Sequence, residues 1–334
     1  MKKQRKGIIM TGILGVFLLS AWLWTGGQGI SKEEQKIYED AVSMEEQVDK
    51  LGFEGFCLSD YPVAIYDGVS DYVFYKGKIK KRPPVIETFV GTAYPVGDHF
   101  EVIVPTLERF ESLMSLAGGA EGMMTGSGYG AEEHKGMLWH EAFHAYQMTN
   151  FAILGEKVTH KEMQEELEGA EGKEESEISQ EEQLVTWVDQ APDIRSKLKQ
   201  EMELLKKTVE LIQNQDISAI DEVHRIILEY SERRRQRMSE MSEALRDAEI
   251  RCEVTEGTAY YVEAKVYGMM TGQEEYKERY LYNLGTYEGG RGKYYRTGFA
   301  KCLILDFLCP DWKETFDFST GLDEVIEKYI EGES

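Results

Sequence analysis

Only six histidines occur in the 334-residue chain, and two of them, His140 and His144, stand four apart in the stretch LWHEAFHAYQ (138–147), with Glu141 directly after the first. On a helix, residues i and i+4 share a face and sit about one turn apart. Two imidazoles in that relation can hold one Zn²⁺, and the carboxylate beside the first can act as general base on a water polarised by the cation. Trp139, Ala142, Phe143 and Ala145 are uncharged and no proline interrupts the stretch, so a helix carrying H-E-x-x-H is predicted.

A catalytic zinc takes a third protein ligand and keeps one position open. The extended motif that adds a glycine and a third histidine is excluded, because Gln147 and Asn150 occupy those places. Glu165 and Glu166 follow at about twenty residues but belong to a run with ten glutamates in the 22 positions 161–182. Glu256, in VTEGTAYYVEAKVYG, is the better candidate, with Glu253 its local competitor.

At this point the sequence resembles the gluzincins, HExxH metallopeptidases whose third ligand is a glutamate on a later helix. Aminopeptidase N-like members carry N-E-G-x-A-x-Y-x-E, and Glu256, Gly257, Ala259, Tyr261 and Glu263 match it, with Thr255 in place of the asparagine. The resemblance implies Zn²⁺ on His140, His144 and Glu256, with Glu141 as general base. It also implies a tyrosine or histidine, well after the third ligand, that stabilises the oxyanion. Tyr295 is the candidate, with Arg291 and Arg296 as alternatives. Two departures stand out. Between His144 and Glu256 lie 111 residues, and Tyr260 occupies the place where thermolysin-like enzymes have an aspartate that orients a ligand histidine. No exopeptidase signature is present; GGAEGMM is not G-x-M-E-N.

The elements that must position these residues fall into two textures. Residues 32–51 read as an amphipathic helix stopped by Gly52. YPVAIYDG, DYVFYKGK, VIETFVGTAY and HFEVIVPT (61–106) read as strands of a mainly antiparallel sheet. HFEVIVPT could also be an edge strand open to an extended peptide. The glycine-rich segment 118–130 reads as a loop without phosphate-binding spacing.

Helix dominates from His134: LWHEAFHAYQMTNFAIL, a charged hairpin over SKLKQEMELLKKTVELIQ and DEVHRIILEYSERRRQRMSEMSEALRDAEI, a further helix from Thr255, and YYRTGFAKCLILDFLCPDW. The expected fold is α+β and zincin-like. A helix and β-rich lobe (32–132) precede a helical catalytic lobe (133–334) that carries a charged helical insertion (155–250). Arg233, Arg234, Arg235 and Arg237 in SERRRQR are expected on a solvated face.

The formal charge of −23 argues against a nucleic-acid partner. MKKQRK followed by the apolar stretch GIIMTGILGVFLLSAWLW, with no charge until Lys32, reads as a signal-anchor or signal peptide (1–31). The expectation is therefore a body outside the cytoplasm, held on the cell membrane by one span or secreted, acting on a peptide or protein substrate. The alternative is a membrane-anchored metal-binding scaffold whose HExxH site does not turn over. Cys57, Cys252, Cys302 and Cys309 show no C-x-x-C spacing, so bridges and single buried thiols are equally open.

Overall fold

The computed structural model describes residues 29–116, 128–157, 163, 179–214 and 220–332. The N-terminal apolar stretch, most of the acidic run with Glu165 and Glu166, and most of the glycine-rich segment lie outside the described residues. Among those described, no helix is long and apolar enough to cross a membrane.

The chain is α+β: one small sheet followed by a mostly helical body. Ser31 caps helix α1 (Lys32–Val42) by accepting from the Glu34 amide. The single helix expected over 32–51 breaks at Ser43, and a short α2 (Glu45–Asp49) follows. Strands β1 (Val63–Tyr66), β2 (Asp71–Tyr75), β3 (Lys78–Arg82), β4 (Thr92–Val96) and β5 (His99–Pro105) form one sheet in the order β3-β2-β1-β5-β4. Only β1 and β5 run parallel; the other pairs are antiparallel. HFEVIVPT is therefore interior, and the edges are β3 and β4.

Helix α3 (Leu107–Leu116) leaves β5, and α4 (Ala131–Asn150) crosses the β4–β5 side of the sheet. Leu138, Trp139, Ala142, Phe143 and Ala145 are fully buried there, so the apolar side of the HExxH helix is core. The helix stops at Asn150, because Phe151 is extended; the expected continuation through Leu154 does not occur. Next come α5 (Gln180–Gln190), α6 (Pro192–Gln213) and α7 (Ile220–Met238). The α6–α7 hairpin is joined to the main core through Leu205, Val209, Val223, Ile227 and Tyr230.

Helix α8 (Glu243–Thr271) starts at the Ser242 cap, twelve residues before the expected start at Thr255, so the second hairpin helix ends at Met238. Helix α9 (Gly292–Leu308) lies along α8, and α10 (Leu322–Glu331) packs on α9. The α8–α9 crossing is made by two glycines. A Cβ on Gly257 would lie 2.5 Å from Gly298 Cα, and one on Gly298 would strike the Glu253 carbonyl oxygen.

The arginine run corrects the expectation of a solvated face. Arg233 and Arg235 are outside, but Arg234 and Arg237 are buried. Arg234 pairs with Glu249, Glu253 and Asp323, and Arg237 with Glu201 and Glu249. Lys301 closes the network on Glu253 and Asp323. Buried charges of this kind persist only when each is matched and hydrogen-bonded. All four cysteines are free thiols, so no disulfide forms.

Candidate metal centre

The structure brings His140, His144 and Glu256 together. One donor atom from each, Nε2, Nε2 and a carboxylate oxygen, lies within 4.8 Å of the others. The separations are 3.1 Å between the two Nε2 atoms, 3.2 Å from His144 Nε2 to Glu256 Oε2, and 3.4 Å from His140 Nε2 to the same oxygen. Three ligands at ordinary Zn–N and Zn–O lengths with tetrahedral angles would be about 3.3 Å apart. The donor triangle already has the size of a tetrahedral cation site.

The tautomers follow from the hydrogen bonds behind the ligands. Gln147 donates through Nε2 to the Thr255 carbonyl (3.1 Å) and Thr258 Oγ1 (2.7 Å), and Thr258 in turn donates to the Val254 carbonyl. Gln147 Oε1 is thus fixed as an acceptor, 2.9 Å from His144 Nδ1. His140 Nδ1 likewise meets Glu263 Oε2 at 2.9 Å, while Tyr280 donates to Glu263 Oε1. Both Nδ1 atoms therefore carry protons, and in the neutral form of each ring the Nε2 lone pair would face the Glu256 carboxylate. Three acceptors converging in a half-buried site repel one another unless positive charge lies between them.

The protonation tendencies agree. Burial opposes charge on His140, but hydrogen bonds to Glu256 and Glu263 outweigh it and raise its pKa well above the usual histidine range. His144 is raised against burial by the Glu256 charge. Burial opposes ionisation of Glu256, but His144 and His140 hold it well below the usual carboxylate range. The site draws positive charge, and a divalent cation would displace the ring protons.

Glu141 lies beside the cluster on the same helix turn, close enough for the charges of His140, His144 and Glu256 to act on it. Burial raises its pKa, with His140 and His144 opposing the rise. A Cβ on Gly91 would come within 2.7 Å of Glu141 Cγ, so the residue preceding β4 is a glycine lying directly on the carboxylate. Tyr295, on α9, has its ring centroid 6.1 Å from that of His140. Burial and then the neighbouring Glu256 carboxylate raise its pKa, so it keeps its proton.

The competitors go elsewhere. Glu253 is buried in the ionic network, bonded to Arg234, Thr297 and Lys301. Arg291 pairs with Glu181 and Arg296 with Glu288.

Sequence reasoning gave no role to Glu263, Gln147 or Gly136. Glu263 takes the orienting role left vacant by Tyr260, and its spacing of seven from Glu256, two helical turns on one face, was the available signal. Gly136 makes room for it: a Cβ there would lie 3.2 Å from Glu263 Cγ. Compared with family profiles, curated proteins and solved structures, the chain matches none. What can be said of the site rests on its own geometry.

Proposed function

We propose that the chain is a zinc-dependent hydrolase of peptide bonds with a zincin-like site, and the spacing of the three donor atoms carries this reading. His140, His144 and Glu256 would hold the cation, two nitrogens and one oxygen being a donor set suited to Zn²⁺. Such a cation supplies Lewis acidity toward a carbonyl and makes a bound water acidic near neutral pH.

The protein's own groups do the rest. Glu141 accepts the proton of the attacking water and delivers it to the leaving amine. Tyr295, protonated at working pH, donates to the oxygen on which charge develops. Glu263 and Gln147 keep the imidazoles in the Nδ1–H form.

A peptide as substrate is favoured by the sheet. Strand β4 is an outer edge that starts next to Gly91, and therefore next to Glu141, so an extended chain paired along it would pass the general base. The location that goes with this reading, outside the cytoplasm on a membrane anchor, rests on the N-terminal sequence alone.

Glu141→Gln tests the proposal. The variant should retain one zinc per chain by elemental analysis and lose at least about 100-fold in cleavage of a peptide library. A wild type that binds zinc and cleaves nothing supports the metal-binding scaffold instead. A wild type that binds no zinc ends both readings.

A further inference from the structure

Between β3 and β4 the chain crosses one end of the sheet as a strap, residues 83–91. It starts at the outer edge beyond β2 and ends at the opposite edge. The Val85 amide is tied to Asp71 at the head of β2, Glu87 lies near Tyr66 at the end of β1, and Gly91 rests on Glu141. Thr88 is buried and holds the strap's turn through the Val90 amide and carbonyl. The strap nevertheless turns its large apolar side chains outward: Val85 is 38 % exposed, Phe89 45 % and Val90 56 %. Together with Val69 in the β1–β2 turn, these are four of the nine exposed large hydrophobic residues among those described.

Beside this surface stands Arg109, on the first turns of α3. Its guanidinium carbon lies 5.0 Å from the Tyr66 ring centre and 5.9 Å from that of Phe89, with Gly68 leaving space for one of its terminal nitrogens. The Nε atom is buried without a hydrogen-bond partner. Every other arginine among the described residues has a carboxylate or a backbone carbonyl on its guanidinium, Arg195 and Arg246 being the two with carbonyls only. Asp67, close by, accepts the Val69 and Ser70 amides on one oxygen, Oδ1. In a chain of 61 acidic and 38 basic residues, a guanidinium held against two rings with no carboxylate on it among the described residues is unusual, because the rings offset only part of its desolvation.

We propose that Arg109 anchors substrate by binding a carboxylate on an extended peptide whose apolar side chains lie along Phe89 and Val90. The aromatic clamp fixes the plane of the fork, which suits two-point recognition of a carboxylate. From Phe89 the strap is two residues from the glycine on Glu141, so Arg109 lies within roughly 15 Å of the general base, about four residues of extended chain. The last point rests on the peptidase reading above. The carboxylate is either an acidic side chain near the cleaved bond or the peptide's own C-terminus.

The test uses the full chain carrying Glu141→Gln, so that peptides are bound and not cleaved, at 0.15 M salt. Fluorescein-labelled apolar hexapeptides, amidated at the C-terminus, carry one glutamate or one glutamine scanned through the positions. A further glutamine set keeps its free C-terminal carboxylate. At one or two positions the glutamate peptide is expected to bind about tenfold tighter than its glutamine twin. A gain seen only with the free terminus assigns the carboxylate to the chain end. Arg109→Gln should bring the ratio to one, and Arg109→Lys, which keeps the charge without the fork, should fall between.

Equal binding of all three peptide sets, no binding at all, or an undiminished ratio in Arg109→Gln overturns the proposal. Cleavage by the chain with Glu141 intact is scored apart. Binding preference without turnover sinks the hydrolase reading alone, and turnover without preference sinks the anchor alone.

Discussion

Removing the carboxylate behind His140 is the sharpest perturbation of the proposed metal site, because Glu263 bonds the Nδ1 side of the ring and not the Nε2 that would face a cation. Its Oε2 lies 2.9 Å from His140 Nδ1, its other oxygen accepts from Tyr280 at 3.0 Å, and its side chain is 21 % exposed. Glu263→Gln keeps an acceptor oxygen for Nδ1–H but removes the charge. A charge-assisted hydrogen bond is about twice as strong as a neutral one, so about 1 kcal/mol, or roughly fivefold in zinc affinity, should be lost. Glu263→Ala leaves Nδ1–H without its partner and frees the ring to turn; about 1.5–3 kcal/mol, or roughly 10–100-fold, should follow.

Competition with a chromophoric chelator at fixed pH measures both values. A cobalt-substituted sample should show a shifted visible spectrum in the alanine variant, which a change of stability alone would not cause. Zinc affinities of all three proteins within twofold of one another would refute the argument that this hydrogen bond sets the ligand's tautomer and aim.

Two further outcomes follow from packing and burial. Gly298→Ala drives a methyl group into the Glu253 carbonyl and forces α8 and α9 apart, so it should cost about 2–3 kcal/mol by urea unfolding, and a loss under about 0.5 kcal/mol would contradict it. Glu34 is pushed up to about 7, by burial first and then by Glu33, Glu108 and Glu111, against the Leu107 amide that it accepts. Its acid form is the one that the fold prefers. The stability it contributes is full below about pH 4.5 and is lost as the pH rises through 7. Glu34→Gln, which keeps the acceptor, should gain up to about 3 kcal/mol over wild type at pH 8 and nothing near pH 4.5, read as the difference between their melting curves; a constant difference across that range would dismiss it.

The site was legible where chemistry imposes spacing. Two histidines four apart, and a glutamate followed by glycine and alanine, were read as one cluster across 111 residues, and the long helix does bring Glu256 back to α4. What escaped was set by contacts that a linear pattern does not encode. Strand β3 is Lys78–Arg82, exposed over most of its length, so it lacks the apolar alternation that marks a strand. The signal was the turn, for Lys76 and Gly77 both take positive φ in a two-residue hairpin loop. Arg234 and Arg237 looked like their exposed neighbours because burial of a charge depends on partners from α6, α8 and α10. The start of α8 was set too late because the break between Met238 and the Ser242 cap falls inside a stretch read as one continuous helix.

The glycine contact between α8 and α9 has a consequence for how such a chain can change. Main chain rests on main chain there, so the distance from Glu256 to Tyr295 is a property of two backbones and leaves no side chain to vary. Glu253 reinforces the lock by bonding Thr297 and Lys301 on the neighbouring helix. On the proposed function, changes in substrate preference would then fall to the strap and the strand it feeds, where outward-facing side chains such as Phe89 and Val90 can be exchanged without moving α8 against α9.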